Sequence, residues 1–281
     1  MIVRAGLAAR SRKFASGLVY TCSLPRAERS VWAWLADTHI SGGPVAERAG
    51  RQPDTELQRV SREVSAVRPD GLVVNGDIAW KDGAAEDYRR FRDILSPALR
   101  GAPLVLGVGN HDRRANMLDA FDPELIAEPE WIAACVDLPP YCLIAVDSQL
   151  DPSVVGGEVG DSQMAWLEGA LASSGARRAI LFVHHPGDSL SEGCRDFERL
   201  AALAGGSGIV EAIVTGHDHA FSLDRLEGMH LVGLPSSAFP FDSRQDCGWV
   251  EARLAADGLA LRFHGSRESA ELRLRWRGPP G

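Results

Sequence analysis

The sequence has no CxxC pair, although it holds five cysteines: Cys22, Cys135, Cys142, Cys194 and Cys247. An odd count without paired spacing argues against a disulfide framework and for small buried thiols in a reducing, cytoplasmic setting. No apolar run approaches the length of a membrane span. Basic charge is also short: 30 Lys and Arg stand against 38 Asp and Glu, a net charge of −8. With no basic stripe, no nucleic-acid polymer is expected as a partner. A small phosphorylated substrate is not excluded, because bound divalent cations would reverse the local sign. Internal repeats and low-complexity segments are missing too. Asparagine is scarce, with Asn75, Asn110 and Asn116 the only three.

What is present is ordinary for a soluble globular chain: 281 residues, 45% hydrophobic and 24% charged, enough for a sizeable core. Residues 1–30 stand apart. Arg4, Arg10, Arg12, Lys13, Arg26 and Arg29 face a single acid, Glu28, and a modest apolar patch runs from Phe14 to Leu24. The favoured reading is a mobile basic tail. The alternative is a degenerate twin-arginine export signal. Residues 31–265 read as the main domain and 266–281 as a C-terminal strand or tail.

Within the main domain, short apolar runs alternate with helical periodicity. "VWAWLADTH" is a strand buried on both faces, followed by a loop at Pro44. Asp54 is expected to cap a helix with Leu57, Val60, Val64 and Val67 on one face, ended by Pro69. "GLVVNGD" and "PLVLGVGNHD" are strands around a helix within Asp82–Leu99. Residues 115–140 resist assignment because Pro123, Pro129 and Pro139-Pro140 break any long element. "YCLIAVDS", "AILFVHH" and "EAIVTGHDH" are further strands. Helices are expected from Asp161, as the cap, and over 196–203, with 205–208 a linker. Beyond His219 come shorter strands, expected to build a second sheet. "ELRLRWR" alternates like an edge strand, with Leu272, Leu274 and Trp276 on one face.

The apolar strands end alike. The first ends at Asp37 and His39, the next at Asp77, the next at Asn110 and His111, and later ones at His184-His185 and His217-Asp218-His219. Six of the eight histidines lie at these ends. One D-x-H, H-x-H or Gly-Asp alone is ordinarily a turn. Together, each behind a strand, they supply aspartate, asparagine and histidine donors without thiolate. That set suits two divalent ions of Mn, Fe, Zn or Co, with Asp77 able to bridge them. Alternation in D-x-H and H-x-H would send both side chains to one side of an extended segment.

The series Asp37-Thr38-His39, Gly76-Asp77, Gly109-Asn110-His111-Asp112, His184 and Gly216-His217-Asp218-His219 resembles the calcineurin-like metallophosphoesterases. The resemblance implies an α/β fold, a four-layer α/β/β/α sandwich of two mixed sheets. It implies that Asp37, His39, Asp77 and His219 hold one metal and that Asp77, Asn110, His184 and His217 hold the other. His111 would be the general acid for a leaving oxygen, while a hydroxide shared by the ions attacks phosphorus. In the family the first histidine of a His-His-Pro run is the usual ligand. His184 is therefore chosen over His185, which would pack behind it.

Trp80, three residues after Asp77, stands where Ser/Thr protein phosphatases carry Asp and purple acid phosphatases a metal-binding Tyr. "GDIAWKDGAAEDYRRFRDIL", "LPSSAFPF" and "GWVEARL" look instead like the bacterial cyclic-nucleotide phosphodiesterase branch. The expected activity is therefore hydrolysis of a phosphodiester, cyclic AMP being the best single substrate, or of a phosphomonoester. Arg113 and Arg114 could meet a substrate phosphate or simply start a helix, and Asp112 could orient His111. Two alternatives stay open. One is a catalytically silent scaffold of the same fold, which intact ligand positions and His111 disfavour. The other is a nuclease, which the acidic balance disfavours. Oligomeric state is not readable.

Overall fold

The computed structural model describes residues 1–3, 10–43, 47, 49–125, 127–152, 154–174, 178–187 and 192–277. Arg4, Pro44 and residues 278–281 of the expected C-terminal tail lie outside them. The chain opens with β1 (Ile2–Val3), β2 (Arg10–Phe14) and β3 (Gly17–Ser23). Strands and helices then alternate: β4 (Ser30–Leu35), α1 (Pro53–Val67), β5 (Gly71–Val74), α2 (Ala85–Leu99), β6 (Leu104–Leu106) and α3 (Arg114–Phe121). A hairpin of β7 (Ile132–Leu138) and β8 (Tyr141–Ala145) leads to α4 (Asp161–Ser173), β9 (Arg178–Phe182), α5 (Phe197–Gly206) and β10 (Val210–Thr215). The last strands are β11 (Ser222–Leu226), β12 (Met229–Gly233), β13 (Gly248–Ala255), β14 (Gly258–Gly265) and β15 (Ser269–Arg275).

Two mixed sheets result, in the orders β1-β6-β5-β4-β13-β14-β15 and β11-β12-β10-β9-β8-β7-β3-β2. The period of two along each strand sorts the side chains between layers. In β9, Ile180 and Phe182 enter the core shared with the first sheet, while Ala179 and Leu181 join the core under α4 and α5. In β10, Ala212 and Val214 face inward, while Val210 and Ile213 face those helices. Trp34 of β4 meets Phe182 edge-on at 5.2 Å between ring centroids, tying sheet to sheet. Leu57, Val60 and Val64 of α1 and Tyr88 and Phe91 of α2 extend the same core outward. The chain is thus an α/β sandwich with helix layers outside two sheets.

Several expectations change. The described residues within 10–30 are not a loose tail: Leu18, Val19, Tyr20 and Cys22 of β3 are buried, and β3 runs parallel to β7 from Leu18–Ile132 to Ser23–Asp137. The apolar patch that resembles a weak signal core is a half-inward strand. The later strands do not build the second sheet alone. β11 and β12 join it, whereas β13 pairs antiparallel with β4 and carries β14 and β15 into the first sheet. A boundary at 265 therefore falls inside a meander, where Gly258–His264 pairs with Ser269–Arg275. Residues 115–140, unreadable because of their prolines, contain α3 and β7, with the cis Pro139-Pro140 bond in the turn to β8. Asp54 and Asp161 do not cap. The cap positions are Gln52 and Gly160, and both acids sit in the first turn, where the helix dipole favours them. The expected linker at 205–208 begins inside α5, which continues to Gly206.

Deleting residues 1–23 should remove the cooperative thermal unfolding transition or leave insoluble protein, because β7 would lose its parallel partner and the core shared by the two sheets would lose Leu18, Tyr20 and Cys22. A melting temperature unchanged by the deletion would restore the tail reading.

Candidate metal centre

The site is built where parallel strands stop. β4, β5 and β6 run parallel in one sheet, β9 and β10 in the other, so their carboxyl ends gather at one end of the sandwich, where open α/β sheets place chemistry. The strands end before the polar residues. Asp37, His39, Asp77, His217 and His219 all adopt positive φ, between 42° and 70°. The expected extended D-x-H and H-x-H geometry is therefore replaced by left-handed turns, each costing about 1 kcal/mol or more for a residue with a Cβ. Backbone hydrogen bonds lock them. The Asp37 N–H donates to the Gly76 carbonyl (3.1 Å) and the His39 N–H to the Asp77 carbonyl (3.0 Å). The His217 N–H donates to the Asp37 carboxylate (3.1 Å). Gly76, at φ 85°, is required, because a Cβ there would strike the His184 ring. A Cβ on Gly109 would strike Asp77.

All seven sequence-identified ligand candidates meet in one buried cluster. Asp77 Oδ2 lies 3.6 Å from His39 Nε2 and 3.4 Å from His184 Nε2. His219 Nε2 lies 3.4 Å from Asp37 Oδ1 and 3.3 Å from His39 Nε2. His217 Nδ1 lies 3.1 Å from Asn110 Oδ1. His111 sits at the margin, half-buried. Its backbone N–H donates to Asp77 Oδ1 (2.9 Å), which leaves Oδ2 for the histidines.

Four buried ring nitrogens here make no hydrogen bond among the described residues, His39 Nδ1, His184 Nε2, His185 Nε2 and His219 Nδ1, although His184 Nε2 stands within ion-pair distance of Asp77. Leaving such groups unpaired is costly. Burial alone would raise the carboxyls of Asp37 and Asp77, but the facing imidazoles outweigh it and hold both below the usual range. Burial would lower His184, yet Asp77 and Asp37 raise it to about 10. Burial pushes His39 down to about 3, keeping it neutral, the form that ligates metals. The field between the carboxylates thus calls for positive charge, and a divalent cation answers it. The donors fit such ions: the ligating atoms of Asp37, His39 and His219 lie within 4.8 Å of one another, as do those of Asp37, Asp77 and His184.

His184 and His185 are held by different partners, and the ligating atoms of both lie within 4.8 Å of one another and of His217's. His184 Nδ1 is fixed by the Asn75 carbonyl oxygen at 2.8 Å, aiming Nε2 between the carboxylates. His185 Nδ1 pairs with Ser148 Oγ at 2.7 Å, and its ring centroid lies 4.8 Å from that of His217.

Several positioning residues escaped the sequence reading. The Asn75 amide donates to the Val183 and Val214 carbonyls (3.0 and 3.2 Å), clipping β5 to the ends of β9 and β10. Its rarity was the available signal, but its target lay on the other sheet. Ser236 Oγ donates to the Asp37 carbonyl (2.7 Å). Asp112 does not orient the His111 ring. The Lys81 carbonyl oxygen does, 2.8 Å from His111 Nδ1. Asp112 accepts instead from the backbone N–H groups of Ile78, Ala79 and Gly109 and from Tyr88 Oη, tying the Asp77 loop to the Asn110 loop. Burial, then the Asp77 charge, pushes its carboxyl up to about 6. Arg114 is not offered to a phosphate. It forks onto buried Asp147 at 2.7 and 2.9 Å and donates to the Gln149 carbonyl.

Asp112→Ala should lower stability by more than about 3 kcal/mol, because four donors lose their acceptor at once, and Asp112→Asn should recover part of the loss. Urea denaturation measures both, and an unchanged midpoint for the alanine variant would contradict the tie between loops.

The calcineurin-like phosphoesterase family model matches residues 33–221. The chain is 30% identical over 220 residues to the glycerophosphodiester phosphodiesterase GpdQ of Enterobacter lignolyticus, covering 73% of this chain and 76% of that one. It is 28% identical to a cAMP/cGMP dual specificity phosphodiesterase of Mycobacterium tuberculosis, over 81% of this chain and 73% of that one. It is 29% identical to the 3′,5′-cyclic adenosine monophosphate phosphodiesterase CpdA of Pseudomonas aeruginosa, over 82% and 84%. Among solved structures, a dimetal phosphatase from Danio rerio shares the fold, with a TM-score of 0.69 at 15% identity over 88% of this chain and 99% of that one. No helix among the described residues is long and apolar enough to cross a membrane. With a family model spanning its strand-end motifs and its buried His/Asp cluster, this chain belongs to the calcineurin-like phosphoesterases.

Proposed function

We propose that the protein hydrolyses phosphodiesters of small molecules, with two divalent cations and with His111 as general acid. Asp37, His39, Asp77 and His219 would hold one cation, and Asp77, Asn110, His184 and His217 the other. The observation that supports this reading is Asp77 Oδ2, which stands 3.6 Å from His39 Nε2 and 3.4 Å from His184 Nε2, so one carboxylate could serve both ligand groups. Mn, Fe, Zn or Co ions held there would supply a water of lowered pKa and a clamp on phosphoryl oxygens.

The protein's own part is placement and proton transfer. The Lys81 carbonyl oxygen next to His111 Nδ1 assigns a proton to that nitrogen; as a general acid the ring would act in its doubly protonated imidazolium form, giving the Nε2 proton to the departing oxygen and keeping the one on Nδ1. The Asp77 carboxylate is oriented by the His111 backbone N–H, which ties the proposed acid's loop to the carboxylate. A diester substrate is favoured over a monoester because the relatives named above are phosphodiesterases, of glycerophosphodiesters or of cyclic nucleotides. Cyclic AMP is the first substrate to assay. The net charge of −8 disfavours a long nucleic acid.

A panel of mono- and diesters, assayed after chelation and re-addition of Mn, Fe or Zn, tests the activity. Turnover lost on chelation should return with metal, and diesters should be preferred. Chelator-insensitive turnover, or none of any ester, overturns the reading.

His111→Ala should lower kcat on an unactivated diester by roughly 10²–10⁴-fold with bound metal retained. Loss of both ions would show that His111 is a ligand. Asn110→Ala should weaken one ion more than the other by elemental analysis of the dialysed protein, and unchanged stoichiometry with unchanged activity would remove Asn110 from the ligand set.

A further inference from the structure

The turn after β12 carries a feature that metal binding does not use. In "SSAFPF", Ser236 Oγ accepts from the Phe239 N–H at 2.6 Å while donating to Asp37. The turn is thereby rooted in the metal cluster. Phe239 lies 4.4 Å from the His39 ring and 5.0 Å, edge-on, from Trp80. Two residues on, the Phe241 ring lies parallel to the His219 imidazole, 3.9 Å away at 8°. Phe241 is nonetheless 42% exposed, and its backbone N–H is held by Gln245 Oε1 at 2.6 Å.

A single exposed phenyl ring is usually without consequence. This one is different in three respects. Its backbone is fastened rather than free. Its inner face rests on a metal-ligand candidate. Through the His219 ring it continues the ring contacts of Trp80 and Phe239. A fully buried ring there would serve packing alone, whereas this one stacks on His219 at the candidate metal cluster and stays open to a ligand. A flat π-bearing group is what such a face accepts, and every nucleobase has one.

We propose that Phe241 is a specificity-determining residue, the platform on which the base of a nucleotide phosphodiester stacks while its phosphate lies at the metal cluster. The proposal rests on the phosphodiesterase reading above and narrows its substrate to nucleotides.

The test compares ligands that differ by the base alone. Calorimetry on the metal-loaded protein measures 5′-AMP against ribose 5-phosphate, beside kcat/KM for cyclic AMP against glycerophosphoethanolamine. Phe241→Ala should weaken 5′-AMP about tenfold, the size of one base–aromatic stack, and ribose 5-phosphate less than twofold. The cyclic AMP to glycerophosphoethanolamine preference should fall about tenfold, chiefly through KM. Phe241→Trp should restore both. Phe241→Leu, which keeps apolar bulk over His219 but no π face, should behave like alanine with metal stoichiometry retained. Equal weakening of both ligands, or parallel loss of metal, would make Phe241 a mere support for His219 and overturn the proposal. So would wild-type protein that binds ribose 5-phosphate as tightly as 5′-AMP. Either result leaves diester hydrolysis standing, whereas failure to cleave any ester would remove the phosphodiesterase reading itself.

Discussion

Two buried carboxylates, Asp37 and Asp77, set the terms for the rest of the molecule. Each is at most 2% exposed, and buried anions are tolerated only when paired. The fold meets this by surrounding them with imidazoles and backbone N–H groups drawn from both sheets. Asp37 takes the His217 N–H from the second sheet, and Asp77 takes the His111 N–H from its own. The same carboxylates raise the His184 imidazole to about 10, so this point favours positive charge, which a bound cation would supply in place of the proton. Affinity for metal and tolerance of the buried acids are thus one property.

That arrangement needs the sheets to be held at a fixed spacing, and the core supplies it. Trp34 against Phe182, and the alternating inward residues of β9 and β10, set the distance between strand ends. Asn75 spans it with two hydrogen bonds and fixes His184 with its own carbonyl. Asp112 sets the spacing within the first sheet. The left-handed turns at five cluster residues store strain that these contacts offset. The side chains of the candidate metal cluster are therefore placed by side chains outside it.

Much of the site was legible because each polar group follows an apolar strand, so linear order alone lined up Asp37, His39, Asp77, Asn110, His111, His184, His217 and His219. The positioning residues were less so. Apart from the Gly109 contact of Asp112, Asp112 and Asn75 act on backbone groups of segments 33 to 139 residues away, which no local pattern encodes. The N-terminal strand was misread because Gly17–Tyr20 is too short an apolar run to separate strand from signal. β7 was hidden among prolines, and Arg114 looked available because its partner, Asp147, lies on another loop.

By itself the sequence determined the apolar strands, their polar ends, the donor chemistry and the family, since those depend on residue type and short spacing. Only the tertiary structure decided which sheet the last three strands join, that Asp37, His39, Asp77, His217 and His219 turn left-handed, and that Phe241 lies flat on His219. The physical reason is that pairing partners, positive φ and ring stacking are fixed by contacts between distant segments. Those contacts exist only once the two sheets close on their shared core.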